Sequence, residues 1–241
     1  MGRLLRYFQL ALPFLIFSFL TSLVVSIYVS IITFPDFQQG EYSKIMFIHV
    51  PAAWLSLLCY FLLGVYSLLY IVKRLPVFDI LARVNACLGF IFTLCTLITG
   101  SLWGKPIWGT YWVWDARLTS VLFLAFIYLG YFVLRRFSTG SAYKTVSLEG
   151  AVQEVPLKVP VFAILGLLNL PIIRMSVVWW TTLHQKSSIT QVASSVDISY
   201  VLPIYFFLGT FLLFSWIITL YFIQQNMLLL TFRKWCKLQS L

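Results

Sequence analysis

Six stretches of the chain, residues 11–33, 50–72, 84–100, 118–134, 159–173 and 201–223, contain no Asp, Glu, Lys or Arg and are dominated by Leu, Ile, Val, Phe and other apolar residues. Nothing else in the sequence restricts the fold as much. Crossing the hydrocarbon core of a bilayer takes about 20 apolar residues in a helix. In lipid every backbone N–H and C=O must be paired within its own segment, so each stretch is read as a helix. The chain is 61% hydrophobic and only 10% charged over 241 residues, too few charges to cover a water-soluble protein of that length. The expected fold class is therefore all-α integral membrane: a six-transmembrane-helix bundle forming one polytopic domain over residues 1–241. The stretch at 118–134 is near the lower length limit. The one at 159–173 is short and contains Asn169 and Pro171, which predicts a kink and a continuation along the interface. The first follows Arg3 and Arg6, is too long for the apolar part of a signal peptide, and lacks a small-residue cleavage pattern after it.

Six crossings place both termini on one face. On that face fall Arg3, Arg6, Lys73, Arg74, Arg83, Arg135, Arg136, Lys144, Lys158, Arg233, Lys234 and Lys237, and on the other Lys44, Lys105, Arg117, Arg174 and Lys186, a split of 12 against 5 among the 17 Lys and Arg. Cations gather on the cytoplasmic or matrix side, so the termini are expected there. The net charge of +10 follows from the same clusters between spans, and nucleic acid is not implied. The partner implied by the spans themselves is membrane lipid.

Between the third and fourth spans lies an external tryptophan-rich segment, residues 103–119, WGKPIWGTYWVWDARLT. It holds Trp103, Trp108, Trp112 and Trp114, four of the nine tryptophans, together with Tyr111, Asp115 and Arg117. It is too polar and too broken by Gly104, Pro106 and Gly109 to be a span, so it is placed beside the bilayer core on the outer face. The only two histidines, His49 in KIMFIHVPAAW and His184 in VVWWTTLHQKSS, fall at the same outer boundary. Tryptophans favour membrane interfaces, and a single histidine is commonly structural. Both histidines and the aromatic shelf meeting at one level point instead to haem. Imidazoles are axial ligands for haem iron, indoles give a large rigid apolar face, and Lys44, Lys105 and Arg117 are cations for the propionates. Asp115 and Arg117 have a plainer alternative, pairing with each other or with the start of the fourth helix. Trp180, one helical turn before His184, is placed to brace it, and Arg174 reads as a snorkelling side chain.

Cys59, Cys87 and Cys95 lie inside spans and Cys236 in the basic tail, with no C-x-x-C pair and no C-x-x-C-H attachment site. GSLWGKP, at 100–106, faintly suggests a phosphate loop, but its spacing is one residue short and Pro106 stands where Ser or Thr is required, so nucleotide binding is rejected.

WGTYWVWDARLTS resembles the tryptophan-rich WWD signature of haem-handling proteins, and IHVPAAW and WWTTLHQ resemble the two histidine motifs of the CcmC family, haem exporter protein C of cytochrome c maturation. Order, span number and length agree over most of the chain. Tyr111 stands where many members carry a tryptophan. The resemblance implies His49 and His184 as axial ligands of a transient, non-covalent haem b. It implies Trp103, Trp108, Trp112, Trp114, Asp115 and Arg117 as the platform, with Lys44 as the basic position before the first histidine. It also implies delivery of haem to the chaperone CcmE, alongside CcmD and the ABC subunits CcmA and CcmB, and no enzymatic turnover.

Two other readings compete: a membrane haem-b oxidoreductase, and an ABC-exporter permease subunit whose aromatics are an interface belt only. Heavy use of Phe, Leu, Ser and Ile, and a PDFQQGEYSKI stretch that looks like organelle-encoded members, favour the mitochondrial inner membrane with the site facing the intermembrane space. The alternative is a bacterial inner membrane with the site facing the periplasm.

Overall fold

The computed structural model describes residues 2–139, 155–184 and 198–239, with side chains placed for 10–138, 155–184 and 198–226. Lys144 and Lys186, which entered the charge count, lie outside the described residues. Seven α-helices account for the architecture: α1 (Gly2–Ile32), α2 (Met46–Lys73), α3 (Pro76–Trp108), α4 (Ala116–Thr139), α5 (Lys158–Leu165), α6 (Asn169–Trp179) and α7 (Ile198–Gln239). Six helical segments are long and apolar enough to cross a membrane, because α5 and α6 are joined through a single 3₁₀ turn, Gly166–Leu168, into one crossing, Lys158–Trp179.

That crossing corrects the sequence reading at 159–173. Asn169 and Pro171 do not end it. Pro171 occupies the first turn of α6, where the missing N–H would have had no intrahelical partner in any case. The Asn169 amide donates to the Ser120 carbonyl of α4 at 3.0 Å, so the polar side chain ties two helices together instead of breaking one. The irregularity is taken up one turn earlier, in the 3₁₀ segment.

The second departure concerns α3. The sequence placed its end at residue 100, but the helix runs on through Gly104 and Pro106 to Trp108. Its 33 residues make a rod of about 50 Å, well beyond the ~30 Å hydrocarbon core. Arg83 and Trp103 are separated by about 30 Å along it, so an arginine near one boundary puts the first indole at the other. Gly109, in the left-handed region at φ 75°, closes the helix by donating its N–H to the Lys105 carbonyl.

α2 and α3 form the most intimate pair, with α4, α5 and α7 packed around them and α1 resting mainly on α7. Without water to drive helices together, contact is made by close approach and by interhelical hydrogen bonds. Gly89 of α3 leaves room for the Tyr128 hydroxyl of α4, which donates to the Ser56 carbonyl of α2 at 3.0 Å. Tyr60 of α2 donates to the Ala163 carbonyl of α5 at 3.1 Å, and the two tyrosine rings meet edge to face, centroids 5.0 Å apart. Ser22 and Ser26 of α1 both reach the Thr210 hydroxyl of α7, at 2.7 and 2.9 Å. At the Arg83 end of the bundle, Arg135 of α4 grips both oxygens of Asp79 on α3, at 2.7 and 2.6 Å, a bidentate clamp. The α2–α3 hairpin turns through Arg74 in the left-handed conformation, φ 53°, just before Pro76 opens α3. These clamps fix the helices whose opposite ends carry the candidate site.

Candidate haem-binding site

His49 lies in the first turn of α2 and is 9% exposed. The ring is held by α3. Its Nδ1 is 3.0 Å from the Thr99 hydroxyl, and its face meets the Trp103 indole edge-on, with centroids 5.7 Å apart. Trp103 is itself anchored, its Nε1–H donating to the Gln39 side-chain carbonyl at 3.1 Å. Gln39 belongs to a loop organised by Asp36, whose carboxylate accepts the backbone N–H groups of Gln38 and Gln39 at 2.9 Å each. The loop after α1 and the outer ends of α2 and α3 are thus one unit.

His184 lies beyond α6, which ends at Trp179, with Trp180 already extended. The helical turn that was to place Trp180 against His184 is therefore not formed. Trp180 instead meets Trp179 edge to face at 5.8 Å. The two histidines, 135 positions apart in sequence, come within electrostatic reach of each other, and Arg117 is the third member of that group. Arg117 in turn is acted on by Arg174 and Asp115. Among the described residues, neither Arg117 nor Arg174 forms a hydrogen bond or ion pair through its guanidinium. Two neighbouring arginines, with Asp115 the one opposite charge acting on Arg117 and with the histidines close to Arg117, leave an excess of positive charge that favours a ligand carrying negative charge.

The tryptophan segment divides in two. Trp103 and Trp108 are part of α3, and Trp108 packs so closely on Gly104 that a Cβ there would sit 2.9 Å from its ring. Residues 109–115 form an irregular strap leading into α4. On it Trp112 and Trp114 meet edge to face, centroids 5.5 Å apart, with Trp114 76% exposed. Asp115 caps α4, its Oδ1 accepting the Leu118 N–H at 2.7 Å. Its other oxygen, Oδ2, and the Trp112 indole nitrogen are buried and have no hydrogen-bond partner. Such orphaned groups are uncommon, and these two remain able to bond to a water or a ligand.

Lys44 is not among this group. Its ammonium pairs with Glu41 at 3.0 Å and donates to the Ile31 carbonyl at 3.2 Å. Lys105 donates to the Gly109 carbonyl at 2.9 Å and lies over the Tyr111 ring, closing the last turn of α3 where a cation is favoured. Arg174, read from the sequence as a snorkelling side chain, lies within electrostatic reach of Arg117. It is an arginine inside a helix able to cross the membrane, and ionisable residues there are functional candidates by default. Thr99 and Gly100 carry no sequence signal of their own.

The donor set fits haem and fits a bare metal poorly. Among the described residues no three His, Cys, Asp or Glu side chains gather as a metal site. A porphyrin brings its own in-plane nitrogens, so the protein need supply only axial imidazoles, an apolar shelf and cations for the propionates.

The model of the CcmC family, described as heme exporter protein C, matches residues 2–236. A putative cytochrome c biosynthesis ccmC-like mitochondrial protein of Marchantia polymorpha is 42% identical, over 94% of this chain and 90% of its own length. The heme exporter protein C of Bradyrhizobium diazoefficiens is 43% identical over 80% of this chain and 70% of its own, and that of Escherichia coli K12 is 38% identical over 83% and 76%. The match runs from the start of α1 into the last turns of α7 and takes in both histidines and the whole tryptophan segment, so the chain belongs to the CcmC family, heme exporter protein C.

Proposed function

We propose that this chain holds haem b, non-covalently and transiently, on the membrane face opposite its termini, with His49 and His184 as axial ligands. Family membership already carries a role in haem handling for cytochrome c biogenesis, as a delivery component and not an enzyme. The observation that supports the finer reading is that His184 and Arg117 both lie within electrostatic reach of His49, and Arg174 within reach of Arg117. Imidazoles take the iron and the two arginines take the propionates. Trp103 and Trp108 form the fixed wall, and Trp112 and Trp114 the strap. Lys44 has a lesser part, as a cation at the rim of the first loop.

In this reading haem passes from the site to the chaperone CcmE, with CcmD and the ABC subunits CcmA and CcmB as the other partners. His184 lies past the end of its helix, which supports loading and release over the permanent clamp between facing helices expected of a b-type oxidoreductase. The relatives include mitochondrial and bacterial proteins. The intermembrane space, or the periplasm in a bacterial setting, is the compartment the site faces.

The test is the absorption spectrum of the purified protein, with and without each histidine. A low-spin, six-coordinate haem spectrum that is lost in His49→Ala and in His184→Ala supports the reading. A colourless protein that also takes up no added haem overturns it and leaves the aromatics as an interface belt.

A further inference from the structure

Three residues of α3 converge on the His49 ring, at 99, 100 and 103. The Thr99 hydroxyl has one hydrogen, and it points back along its own helix to the Cys95 carbonyl at 2.6 Å. Only lone pairs of that oxygen remain for His49 Nδ1, 3.0 Å away. The Thr96 carbonyl, which can only accept, lies 3.4 Å from the same hydroxyl oxygen. Gly100 supplies the space. A Cβ built there would stand 3.0 Å from Cε1 and 3.5 Å from Nδ1 of His49, so even an alanine makes the imidazole give by a few tenths of an ångström. Trp103 closes the other side, edge to face with the ring.

We propose that the outer end of α3 is a positioning device that holds neutral His49 in its Nδ1–H form and so presents a bare Nε2 to the ligand. Since α3 offers the ring acceptors and no donor, the ring must bring the hydrogen to Nδ1, and the lone pair is left on Nε2. Free histidine in water prefers the opposite tautomer, so the preference is imposed by the helix. A metal-ligating histidine is commonly oriented by a hydrogen bond from its second ring nitrogen. Here Thr99 provides that bond before any haem arrives, and Gly100 fixes how near the ring lies. The role of Nε2 as an iron ligand rests on the haem reading above; the tautomer itself does not.

The chain has two histidines, so protein labelled with ¹⁵N only in histidine shows four ring nitrogens, and His49→Gln assigns the pair belonging to His49. In haem-free full-length protein above pH 7, the expected spectrum has a protonated Nδ1 and an unprotonated Nε2 at His49. Thr99→Val keeps a β-branched side chain of the same shape and should lose this pattern, giving the Nε2–H form or an averaged signal. Thr99→Ser should retain it. Unmoved His184 signals show that the fold is intact. A wild-type His49 in the Nε2–H form, or a Thr99→Val protein with an unchanged pattern, overturns the proposal. In a haem titration, Thr99→Val should bind about 10- to 100-fold more weakly, as outer-shell losses at metal sites do, with Thr99→Ser near wild type. Gly100→Ala should shift the low-spin spectrum, because the ring must move slightly from α3. If the nitrogen pattern is as expected but wild-type protein gives no low-spin haem, the ligand role fails and the tautomer assignment stands.

Discussion

Arg117 offers the sharpest way to separate a haem contact from a fold contact. Among the described residues its guanidinium forms no ion pair, while Arg174 acts on it as a like charge and Asp115 as an opposite one. Arg117→Gln keeps most of the apolar stem and removes the charge. No ion pair is broken, and repulsion with Arg174 is relieved, so the unfolding midpoint should stay the same or rise. Haem affinity should fall. Losing a hydrogen bond to a charged group costs about 1.5–3 kcal/mol, which is roughly 10- to 150-fold in Kd. The same comparison with haem dimethyl ester, whose propionates are neutral, removes the charge that the arginine would meet. Wild type should then bind more weakly, and the difference between wild type and Arg117→Gln should shrink to a few-fold. Titrations of both ligands into both proteins, with thermal unfolding as control, give four affinities and two midpoints. An Arg117→Gln penalty equally large for haem and its ester would refute the propionate role and assign the arginine to the fold. Arg174→Gln is a parallel test, and loss of both arginines should leave little distinction between the two ligands.

Other outcomes follow from the same geometry. His49→Ala and His184→Ala should each lose the low-spin spectrum, and added imidazole should partly restore it by filling the vacated axial position; a variant with an unaltered spectrum removes that histidine from the ligand set. Asp115→Ala removes the cap of α4 and should cost about 1 kcal/mol of stability, whereas Asp115→Asn keeps an acceptor for the Leu118 N–H and should cost less; equal losses would show that the carboxylate charge, not the cap, matters. In a background without native cysteines, His49→Cys, Trp112→Cys and His184→Cys should each react with an impermeant reagent only from the side opposite the termini; labelling from the terminus side would move the site across the membrane.

The six crossings were legible because their signal is summed over many residues: each has an uncharged apolar stretch at its centre, and a bilayer leaves the backbone no choice but helix. The ends were less legible, and for a particular reason at each. Gly104 and Pro106 read as breakers, yet both lie within α3, where Gly104 is used to admit the Trp108 ring and Pro106 falls in the last turn. Asn169 read as a break because its polarity is visible in sequence, but its partner, the Ser120 carbonyl on another helix, is not. The histidines and the tryptophan cluster stood out by rarity and density. Arg174 reads in sequence as a snorkelling side chain, as one arginine at a boundary commonly is, and only the fold shows it acting on Arg117. Thr99 and Gly100 are ordinary residues of an apolar helix, and their relation to His49 exists only across the α2–α3 contact.

The division of the tryptophan segment between a helix and a strap makes the indoles unequal. Trp103 is hydrogen-bonded to Gln39 and touches His49, so it acts on the direction in which the His49 imidazole points. Trp114, on the strap, is 76% exposed, so its apolar face is largely uncovered until a ligand arrives. Burying such a side chain contributes at most about 1.5–3 kcal/mol, or roughly 10- to 150-fold in affinity. Trp114→Ala should therefore weaken haem binding within that range and leave the spectrum of the bound fraction unchanged. Trp103→Ala should change the spectrum itself, because the His49 ring loses one of the walls that fix it, even when haem is added in excess. Paired measurements of affinity and spectrum on the two variants decide the matter. If both variants lose affinity with identical, unperturbed spectra, Trp103 is only more of the same shelf. If neither loses affinity, the segment is a docking surface for the haem acceptor and the ring is gripped elsewhere.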